Sequence, residues 1–212
     1  MIVLAGLIGA GKSSLAKILG DHLHSTVFYE AVDNNPIIDL YYQHPKQYAF
    51  LLQIYFLNKR FKAIKEASQL KNSILDRSIF EDDLFLTLNY KNGNVSSIEC
   101  ETYKELLANM LEELDEIPKK TPDILIYIDI SFDKMLERIK KRGREYEQIE
   151  NHPELYHYYQ QLFHEYQSWI KSYQYSPKLI IDGEHYDFVE NTNDKNDVLE
   201  IIINSLNKLN QK

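Results

Sequence analysis

The sequence predicts an α/β protein in which five parallel strands form a sheet flanked by helices. Two observations predict this class. Short apolar runs alternate along the 212 residues with longer segments of helical period, which is typical of a parallel sheet wrapped by helices. The first apolar run, residues 2–5, also leads into a glycine-rich turn that opens a helical segment. The length suits one domain with a full core, and we predict a single domain over residues 1–212.

Each predicted strand is a short apolar run that is followed by a turn and then by a segment of helical period. The strands are predicted at residues 2–5, 26–29, 73–76, 124–130 and 179–181. The helices are predicted at residues 12–22, 47–67, 102–116, 133–142, 153–173 and 196–209. Two segments with turn-forming residues, 89–97 and 118–122, are predicted to be loops, and the polar end at residues 210–212 is predicted to fray.

The composition argues against several classes of partner. A net charge of −8 argues against nucleic-acid binding, because phosphate backbones select for clustered Lys and Arg. The first apolar run has no basic region before it, which argues against a signal peptide, and no apolar stretch reaches membrane-spanning length. Cys100 is the one cysteine, so no internal disulfide can form, which fits a reducing compartment. We therefore expect a soluble cytoplasmic protein that binds neither nucleic acid nor membrane.

The strongest motif is the run GLIGAGKS at residues 6–13, which has the spacing of a phosphate-binding loop. A glycine-rich turn between a strand and a helix points several backbone N–H groups and the helix N-terminus at one anionic group. In such a loop, Lys12 reaches the β- and γ-phosphates and Ser13 holds Mg²⁺. The alternative is a tight strand-to-helix turn that binds nothing, and the apolar strand before the loop argues against it.

Two acidic positions follow predicted strands, where ligands bind in parallel sheets. Glu30 comes at the carboxyl end of the second strand, where a carboxylate can face a reacting hydroxyl. Asp76 closes the third strand and can hold Mg²⁺ or accept a proton, while Arg77 can neutralise charge on a transferring phosphoryl group. A solvated loop acid and a structural ion pair are the simpler interpretations. Asp82 lies five residues after Arg77 and can form a buried ion pair with Arg60.

Three arginines cluster around the end of one predicted helix. Arg138 and Arg142 are four residues apart and share a helix face, and Gly143 lets the helix end before Arg144. A mobile lid over a triphosphate would use such a cluster to exclude water and to stabilise developing charge. We place this lid at about residues 142–151. The simpler interpretation is that basic residues near a helix C-terminus favour the macrodipole.

The long aromatic helix between the second and third strands carries a candidate recognition pair. Gln53 and Arg60 are seven residues apart and share a face, so an amide and a guanidinium can meet the hydrogen-bonding edge of a purine or pyrimidine. Phe50, Phe56 or Phe80 could supply stacking or edge walls. A solvated Gln and Arg are the simpler interpretation of this pair.

Taken in order, these motifs resemble the deoxyribonucleoside kinases, and most closely the bacterial deoxyadenosine/deoxyguanosine kinases of Gram-positive type. The resemblance covers nearly the whole chain. It rests on Gly6-x4-Gly-Lys-Ser-Ser14, Tyr29-Glu30-x-Val, Asn35-Pro36, Tyr42-x2-Pro45, Gln53-x6-Arg60, Asp76-Arg77-Ser78-x3-Asp82, Arg138-x3-Arg142-Gly-Arg144-x2-Glu147 and Asp182-Gly183. It implies a P-loop kinase fold with an arginine-bearing lid. The implied reaction is phosphorylation of the 5′-hydroxyl of purine deoxyribonucleosides, with deoxycytidine as a further candidate acceptor, by ATP with Mg²⁺.

By position, the resemblance also implies which residues act on the acceptor. Glu30 would take the proton of the 5′-hydroxyl, with Arg77 beside it. Asp76 would govern Mg²⁺ together with Ser13, and Asp76 is also the second candidate for the proton acceptor. The implied contacts are Tyr42 and Glu147 for the sugar 3′-hydroxyl, and Gln53, Arg60 and Asp82 for the base.

The resemblance likewise implies the contacts to ATP. Asp187 and Phe188 fall where the adenine of the phosphate donor is held. The full implied set is Gly6, Gly9, Ala10, Gly11, Lys12, Ser13, Ser14, Arg138, Arg142, Arg144, Asp187 and Phe188.

Two other interpretations stay open. A nucleoside-monophosphate kinase of the same fold, such as a thymidylate kinase, would need an extra arginine cluster for the acceptor phosphate, and the acceptor side has few cations. A non-catalytic nucleotide-binding subunit is the second, and the intact Glu30, Asp76 and Arg77 argue against it. The resemblance also implies a dimer, either of two copies or with a related subunit. The choice between deoxyadenosine and deoxyguanosine is open.

Overall fold

A computed structural model of the chain describes residues 1–32, 35–115 and 121–211, and the predicted five-stranded parallel sheet is present. The strands are β1 (Ile2–Gly6), β2 (Thr26–Phe28), β3 (Ser73–Asp76), β4 (Ile124–Asp129) and β5 (Lys178–Asp182). Their order across the sheet is β2-β3-β1-β4-β5, and every pairing is parallel. The predicted α/β class is therefore confirmed, and the predicted strand ends differ from the observed ones by at most a single residue.

Helices flank the sheet. They are α1 (Lys12–Leu23), α2 (Ile38–Gln43), α3 (Pro45–Ala67), α4 (Asp82–Lys91), α5 (Ser97–Asp115), α6 (Phe132–Arg142), α7 (Glu154–Ser172) and α8 (Thr192–Asn210). Single 3-10 turns lie at Ile79–Glu81 and Glu145–Glu147. Within the described residues, none of these helices is both long and apolar enough to cross a membrane.

The direction of winding reverses at β1, and this reversal positions the site. From β1 the chain passes to β2 and β3 on one side of the sheet, and then to β4 and β5 on the other. Leu4 pairs with Asp76 and Gly6 pairs with Ile128, so the carboxyl ends of β1, β3 and β4 meet at one edge. Ligands bind to open parallel sheets at this kind of switch point.

Two helices, α2 and α4, lie where the sequence analysis predicted none. In α4 the residues Leu84, Leu86 and Leu88 are all buried, because α3, α5 and α7 contact this helix. Its apolar residues therefore do not follow the single-face period of a surface helix. The predicted loop at residues 89–97 is wrong in its first part, because α4 continues to Lys91.

Two predicted helices begin earlier than expected, at Ser97 rather than 102 and at Thr192 rather than 196. Both starts are fixed by side-chain caps. Ser96 Oγ accepts a hydrogen bond from the Glu99 N–H at 3.3 Å, and the Glu99 carboxylate accepts one from the Ser96 N–H at 2.8 Å, which forms a capping box. The side chain of Asn191 accepts a hydrogen bond from the second residue of α8 at 2.9 Å.

Three of the remaining predictions fall partly outside the described residues. They concern the end of a predicted helix at residue 116, the part of the predicted loop at residues 118–120, and the terminal residue 212. In the structure, α8 extends to Asn210, the first residue of the end that was predicted to fray.

Candidate functional site

The phosphate-binding loop forms the turn between β1 and α1, and its shape depends on glycine. Gly6 and Gly11 have φ angles of 141° and 96°, which L side chains rarely adopt. A Cβ on Gly6 would lie 2.8 Å from the carbonyl oxygen of Ile128, and one on Gly11 would lie 3.1 Å from the ring of Phe188. Among the described residues, no side chain caps the N-terminus of α1. The first N–H groups of this helix are therefore available to an anionic ligand.

Lys12 is buried against this loop. Its Nζ donates hydrogen bonds to the carbonyl oxygens of Gly6, at 3.0 Å, and of Leu7, at 2.7 Å. Burial lowers the pKa of Lys12 to about 7, and the positive charge of Arg77 acts in the same direction. A phosphate anion in the loop would favour the charged ammonium and raise this pKa again. The charge on Lys12 therefore depends on what the loop holds.

Ser13 and Asp76 bring two oxygen ligands together beside the loop. The Ser13 hydroxyl donates a hydrogen bond to Oδ2 of Asp76, and Oδ1 of Asp76 is buried with no hydrogen-bond partner in the described part of the chain. Burial raises the pKa of Asp76, although Lys12 and the Ser13 hydroxyl oppose the change. Mg²⁺ prefers oxygen ligands and is usually bound by one or two carboxylates together with substrate phosphates. A hydroxyl and an unsatisfied carboxylate oxygen therefore fit Mg²⁺.

Glu30 follows β2 and lies between two arginines. Its Oε1 accepts a hydrogen bond from Nη2 of Arg60 and lies 3.0 Å from Nε of Arg77. Burial alone would raise the pKa of Glu30, but the charges of Arg77, Arg60 and Lys12 outweigh it and lower the pKa to about 2. Glu30 borders the same cavity as the phosphate-binding loop. It is therefore a fixed, ionised carboxylate at neutral pH.

Each of these two arginines has a second carboxylate partner that is fully buried. Nη1 of Arg60 donates to Oδ1 of Asp82, so the ion pair suggested by the sequence is present. Nη1 of Arg77 donates to Oε2 of Glu81 at 2.9 Å. Glu81 was not predicted, although it lies four residues after Arg77, at a spacing where ion pairs form when the chain turns helically. Tyr166, whose hydroxyl also reaches Glu81, comes from α7, and no local pattern links it to the site.

Next to Glu30, α3 contributes a polar and aromatic wall. Gln53 is buried and borders the cavity together with Phe56. The guanidinium carbon of Arg60 lies 4.8 Å from the centre of the Phe56 ring. Of the phenylalanines that the sequence suggested, Phe50 and Phe80 do not border the cavity. An aromatic surface beside an amide and a guanidinium suits a planar heterocycle with a hydrogen-bonding edge.

The 3-10 turn Glu145–Glu147 brings the arginine segment to the cavity. The Glu147 carboxylate is paired with Arg142 and lies 3.5 Å from Nη1 of Arg144. The ring of Tyr146 packs against that of Tyr42 of α2, with ring centres 5.0 Å apart and ring planes tilted by 33°. The segment predicted to be a lid therefore contacts α2 through Tyr42, which borders the cavity.

Arg138 is held by backbone groups. It donates hydrogen bonds to the carbonyl oxygens of Ala10, at 3.1 Å, and of Gly183, at 2.9 Å. Arg138 thus ties the phosphate-binding loop to the turn after β5. Asp187, later in the same segment, borders the cavity, whereas the Phe188 ring is buried against Gly11.

A cavity of about 650 Å³ joins these groups. The predicted site residues that border it are Gly9, Gly11, Lys12, Ser13, Ser14, Glu30, Tyr42, Gln53, Arg60, Asp76, Arg77, Arg138, Arg142, Arg144, Glu147 and Asp187. The predicted residues that lie behind its walls are Gly6, Ala10, Asp82 and Phe188. The cavity also reaches Lys134, Glu137 and Lys141, which the sequence analysis did not single out. Lys134 and Lys141 lie four residues before and three residues after Arg138 on α6, and this spacing is the signal that could have found them.

Comparison with known proteins gives consistent matches over nearly the whole chain. A family model described as deoxynucleoside kinase matches residues 2–207. A deoxyguanosine kinase of Lactobacillus johnsonii is 51% identical over 209 residues, which covers 99% of this chain and 93% of that protein. A deoxyadenosine kinase of Lactobacillus acidophilus is 48% identical, covering 99% of this chain and 97% of that protein.

The solved structures agree with these matches. The structure of a deoxyadenosine kinase from M. mycoides with bound dATP superimposes with a TM-score of 0.78 at 32% identity, covering 97% of this chain and 98% of that chain. The predicted P-loop kinase fold is therefore confirmed.

Proposed function

This chain belongs to the deoxynucleoside kinase family, and we propose that it transfers the γ-phosphate of ATP to the 5′-hydroxyl of deoxyadenosine or deoxyguanosine. The observation that carries the proposal is the position of Glu30, an ionised carboxylate held between two arginines at the cavity that also contains the phosphate-binding loop. Transfer from ATP to a hydroxyl needs a phosphate cradle, fixed positive charge and a group that orients the hydroxyl. The names of the relatives, deoxyguanosine kinase and deoxyadenosine kinase, support purine deoxyribonucleosides as acceptors.

On the donor side, we propose that the chain acts mainly by electrostatic stabilisation of the transferring phosphoryl group. The transferring group passes through a loose transition state that spreads negative charge over three oxygens. The loop N–H groups, Lys12 and Arg77 supply fixed positive potential to it, and Arg142 and Arg144 add theirs from the lid. The loop at residues 6–14 holds the phosphates, and Arg138, Asp187 and Phe188 lie on the side where the adenine is proposed to bind.

Ser13 and Asp76 are proposed to hold Mg²⁺, which neutralises charge on the β- and γ-phosphate oxygens when it is bound. The unsatisfied Oδ1 of Asp76 supports this assignment. Burial raises the pKa of Asp76 and so favours its neutral form. A cation beside the carboxylate would lower this pKa and favour the ionised form.

On the acceptor side, the 5′-oxygen forms a bond to the γ-phosphorus while the bond from that phosphorus to the β–γ bridging oxygen breaks, which leaves ADP. The hydroxyl proton passes to Glu30. With a pKa of about 2, Glu30 is a weak base, so it acts chiefly by orienting the hydroxyl, which suits a loose transition state. Asp76, the second candidate for the proton, already accepts a hydrogen bond from Ser13.

Specificity is proposed to come from the walls of the acceptor side. Tyr42 and Glu147 hold the 3′-hydroxyl, with Tyr42 crowding the 2′ side of the sugar. Gln53 and Arg60 read the base edge, and Asp82 keeps Arg60 in place. Tyr42→Phe is therefore expected to weaken deoxynucleoside binding, and an unchanged kcat/KM would rule out this role.

We further propose a cytoplasmic dimer, either of two copies or with a related subunit. Ile98 and Leu106 of α5 are exposed apolar residues eight positions apart, and Leu51 is exposed on α3, which contacts α5. A partner subunit would bury such residues. Cys100 is a buried free thiol, which suits a reducing compartment. Light scattering on the purified chain tests the dimer.

The proposed function is tested by giving the purified chain ATP, Mg²⁺ and, one at a time, the four deoxynucleosides and dTMP. Transfer to deoxyadenosine or deoxyguanosine is expected, and the ratio of the kcat/KM values identifies the preferred base. Transfer to dTMP alone would instead indicate a nucleoside-monophosphate kinase. No transfer to any acceptor would indicate a nucleotide-binding subunit without activity of its own.

A further inference from the structure

A buried carboxylate lies behind Arg77 and outside the cavity. Glu81 is fully buried, and its Oε2 accepts hydrogen bonds from Nη1 of Arg77, at 2.9 Å, and from the Tyr166 hydroxyl, at 2.6 Å. The Tyr166 hydroxyl also accepts a hydrogen bond from Nη1 of Arg77. Tyr166 is fully buried as well, and neither it nor Glu81 borders the cavity. The hydrogen bonds of these two groups therefore reach the cavity through Arg77, and the charge of Glu81 also favours the protonated form of Lys12.

The charges around Glu30 alternate in sign. Glu30 lies between Arg60 and Arg77, and the far side of each arginine is paired with a fully buried acid, Asp82 for Arg60 and Glu81 for Arg77. A buried charge is costly unless it is paired and hydrogen-bonded. Without Glu81, the charge of Arg77 would be balanced mainly by Glu30. That carboxylate would then be drawn into a tighter ion pair and would be less available to a substrate hydroxyl.

The backbone at Arg77 also indicates that its side chain is held in place by its surroundings. Arg77 has a φ angle of 74°, in the left-handed region that a residue with a Cβ seldom adopts. Its N–H donates to the Leu4 carbonyl oxygen at 3.0 Å, and Nη2 lies 3.4 Å from the Gly6 carbonyl oxygen of the phosphate-binding loop. The guanidinium carbon lies 4.9 Å from the centre of the Phe85 ring. The guanidinium is thus fixed between the phosphate loop, Glu30 and Glu81.

We propose that Glu81 and Tyr166 are a positioning pair, which holds the Arg77 guanidinium where it faces both Glu30 and the transferring phosphoryl group. This inference rests on the proposed kinase function. The pair sets the rate of phosphoryl transfer and leaves the binding of ATP and of the deoxynucleoside nearly unchanged, because it touches neither substrate.

The test compares Glu81→Gln and Tyr166→Phe with a matched control, Tyr127→Phe. The Tyr127 ring is buried and stacks on Tyr166 with centres 6.4 Å apart, but its hydroxyl has no hydrogen-bond partner in the described residues. We expect kcat to fall about tenfold in Glu81→Gln and about threefold in Tyr166→Phe, because each variant loses a hydrogen bond that holds Arg77, with both KM values within about twofold. The control keeps the wild-type kcat.

A double-mutant cycle with Arg77→Lys separates positioning from a general effect on the fold. If Glu81 acts through Arg77, adding Glu81→Gln to Arg77→Lys lowers kcat no further. Wild-type kcat in both Glu81→Gln and Tyr166→Phe, or the same tenfold loss in the Arg77→Lys background, would overturn the inference.

A spectroscopic measurement tests the pair independently of activity. Nε of Arg77 is buried and lies 3.0 Å from Oε1 of Glu30. The proton on this nitrogen, followed through its ¹⁵N resonance, is expected to exchange slowly with water in the wild type and faster in Glu81→Gln and Tyr166→Phe. If the wild type transfers phosphate to no acceptor, the proposed function fails, and this exchange rate alone decides the inference. Unchanged exchange in both variants would contradict it.

Discussion

The two halves of the cavity are built in different ways. The proposed donor half, which is the loop at residues 6–14, uses consecutive residues, backbone N–H groups and the N-terminus of α1. The proposed acceptor half, which consists of Glu30, Arg60 and Arg77 with their carboxylate partners, uses charged side chains from distant parts of the chain. The donor half is a local structure, whereas the acceptor half exists only once the whole fold has formed.

The two halves also differ in how their charges are balanced. In the acceptor half, every arginine and carboxylate is already paired inside the protein. In the donor half, the Lys12 ammonium is held by carbonyl oxygens, and its pKa is lowered to about 7. The acceptor half is therefore organised before substrate arrives, and the charge of the donor half is completed by its ligand.

The largest effect is expected from Glu30→Gln, which removes the central charge of the acceptor half. We expect kcat to fall by about 10³, within the range for loss of a group that accepts and orients a proton. Asp82 and Glu81 remain to balance the two arginines, so the fold is expected to persist in thermal unfolding. The matched control is Asp39→Asn, an exposed acid on α2, which keeps wild-type kcat. A loss of less than tenfold would leave Asp76 as the proton acceptor.

The second effect is expected in the donor half, from Lys12→Met. Loss of this cation is expected to lower kcat by about 10², comparable to the loss of one preorganised donor to a charged transition state. The KM for the deoxynucleoside should stay within about twofold, because Lys12 belongs to the phosphate side. Steady-state kinetics with both substrates varied measures this split. Lys17→Met, which removes an exposed lysine from the same helix, is the control.

The contrast between the halves explains what the sequence could predict. The phosphate loop was predictable because the eight residues of its GLIGAGKS run, 6–13, follow an apolar strand and open a helix. Glu30 and Asp76 were also predictable, since Glu30 comes just after β2 and Asp76 ends β3, both at the carboxyl edge of the parallel sheet. The pairing of Tyr166 with Glu81 was not predictable from residue types, because these residues lie 85 positions apart and only the packing of α7 joins them.

The helices also show that local patterns are predictable from sequence and long-range packing is not. The start of α5 was predictable in principle, because Ser96 and Glu99 have the spacing of a capping box. The existence of α4 was not, because its leucines at 84, 86 and 88 pack against several neighbouring helices and show no helical stripe. Tertiary contacts override the local pattern at such a site.

The difference in charge balance predicts how many protons are taken up when each substrate binds. At pH 8, Lys12 with a pKa of about 7 is mostly neutral, and bound phosphate should return it to the charged form. ATP binding should therefore take up about 0.9 proton, since only about one tenth of Lys12 is protonated beforehand. Glu30, with a pKa of about 2, stays ionised, so deoxynucleoside binding should exchange no proton.

Calorimetry in two buffers of different ionisation enthalpy measures both proton numbers. Lys12→Met should abolish the uptake on ATP binding and leave the deoxynucleoside titration unchanged. If protons were taken up when the deoxynucleoside binds and not when ATP binds, the proposed assignment of charge to the two halves would be reversed.

The smallest effect is expected where the proposed lid meets the proposed acceptor half. Tyr146 packs against Tyr42 as a tilted ring pair, and an aromatic pair is worth about 0.5–1.5 kcal/mol beyond the area it buries. Tyr146→Leu should therefore raise the KM for the deoxynucleoside by about 2- to 10-fold, with kcat within twofold. Tyr90→Leu, at an exposed position on α4, is the control and should leave both values unchanged. If kcat falls while KM is constant, Tyr146 acts on phosphoryl transfer, and the lid belongs to the donor half instead.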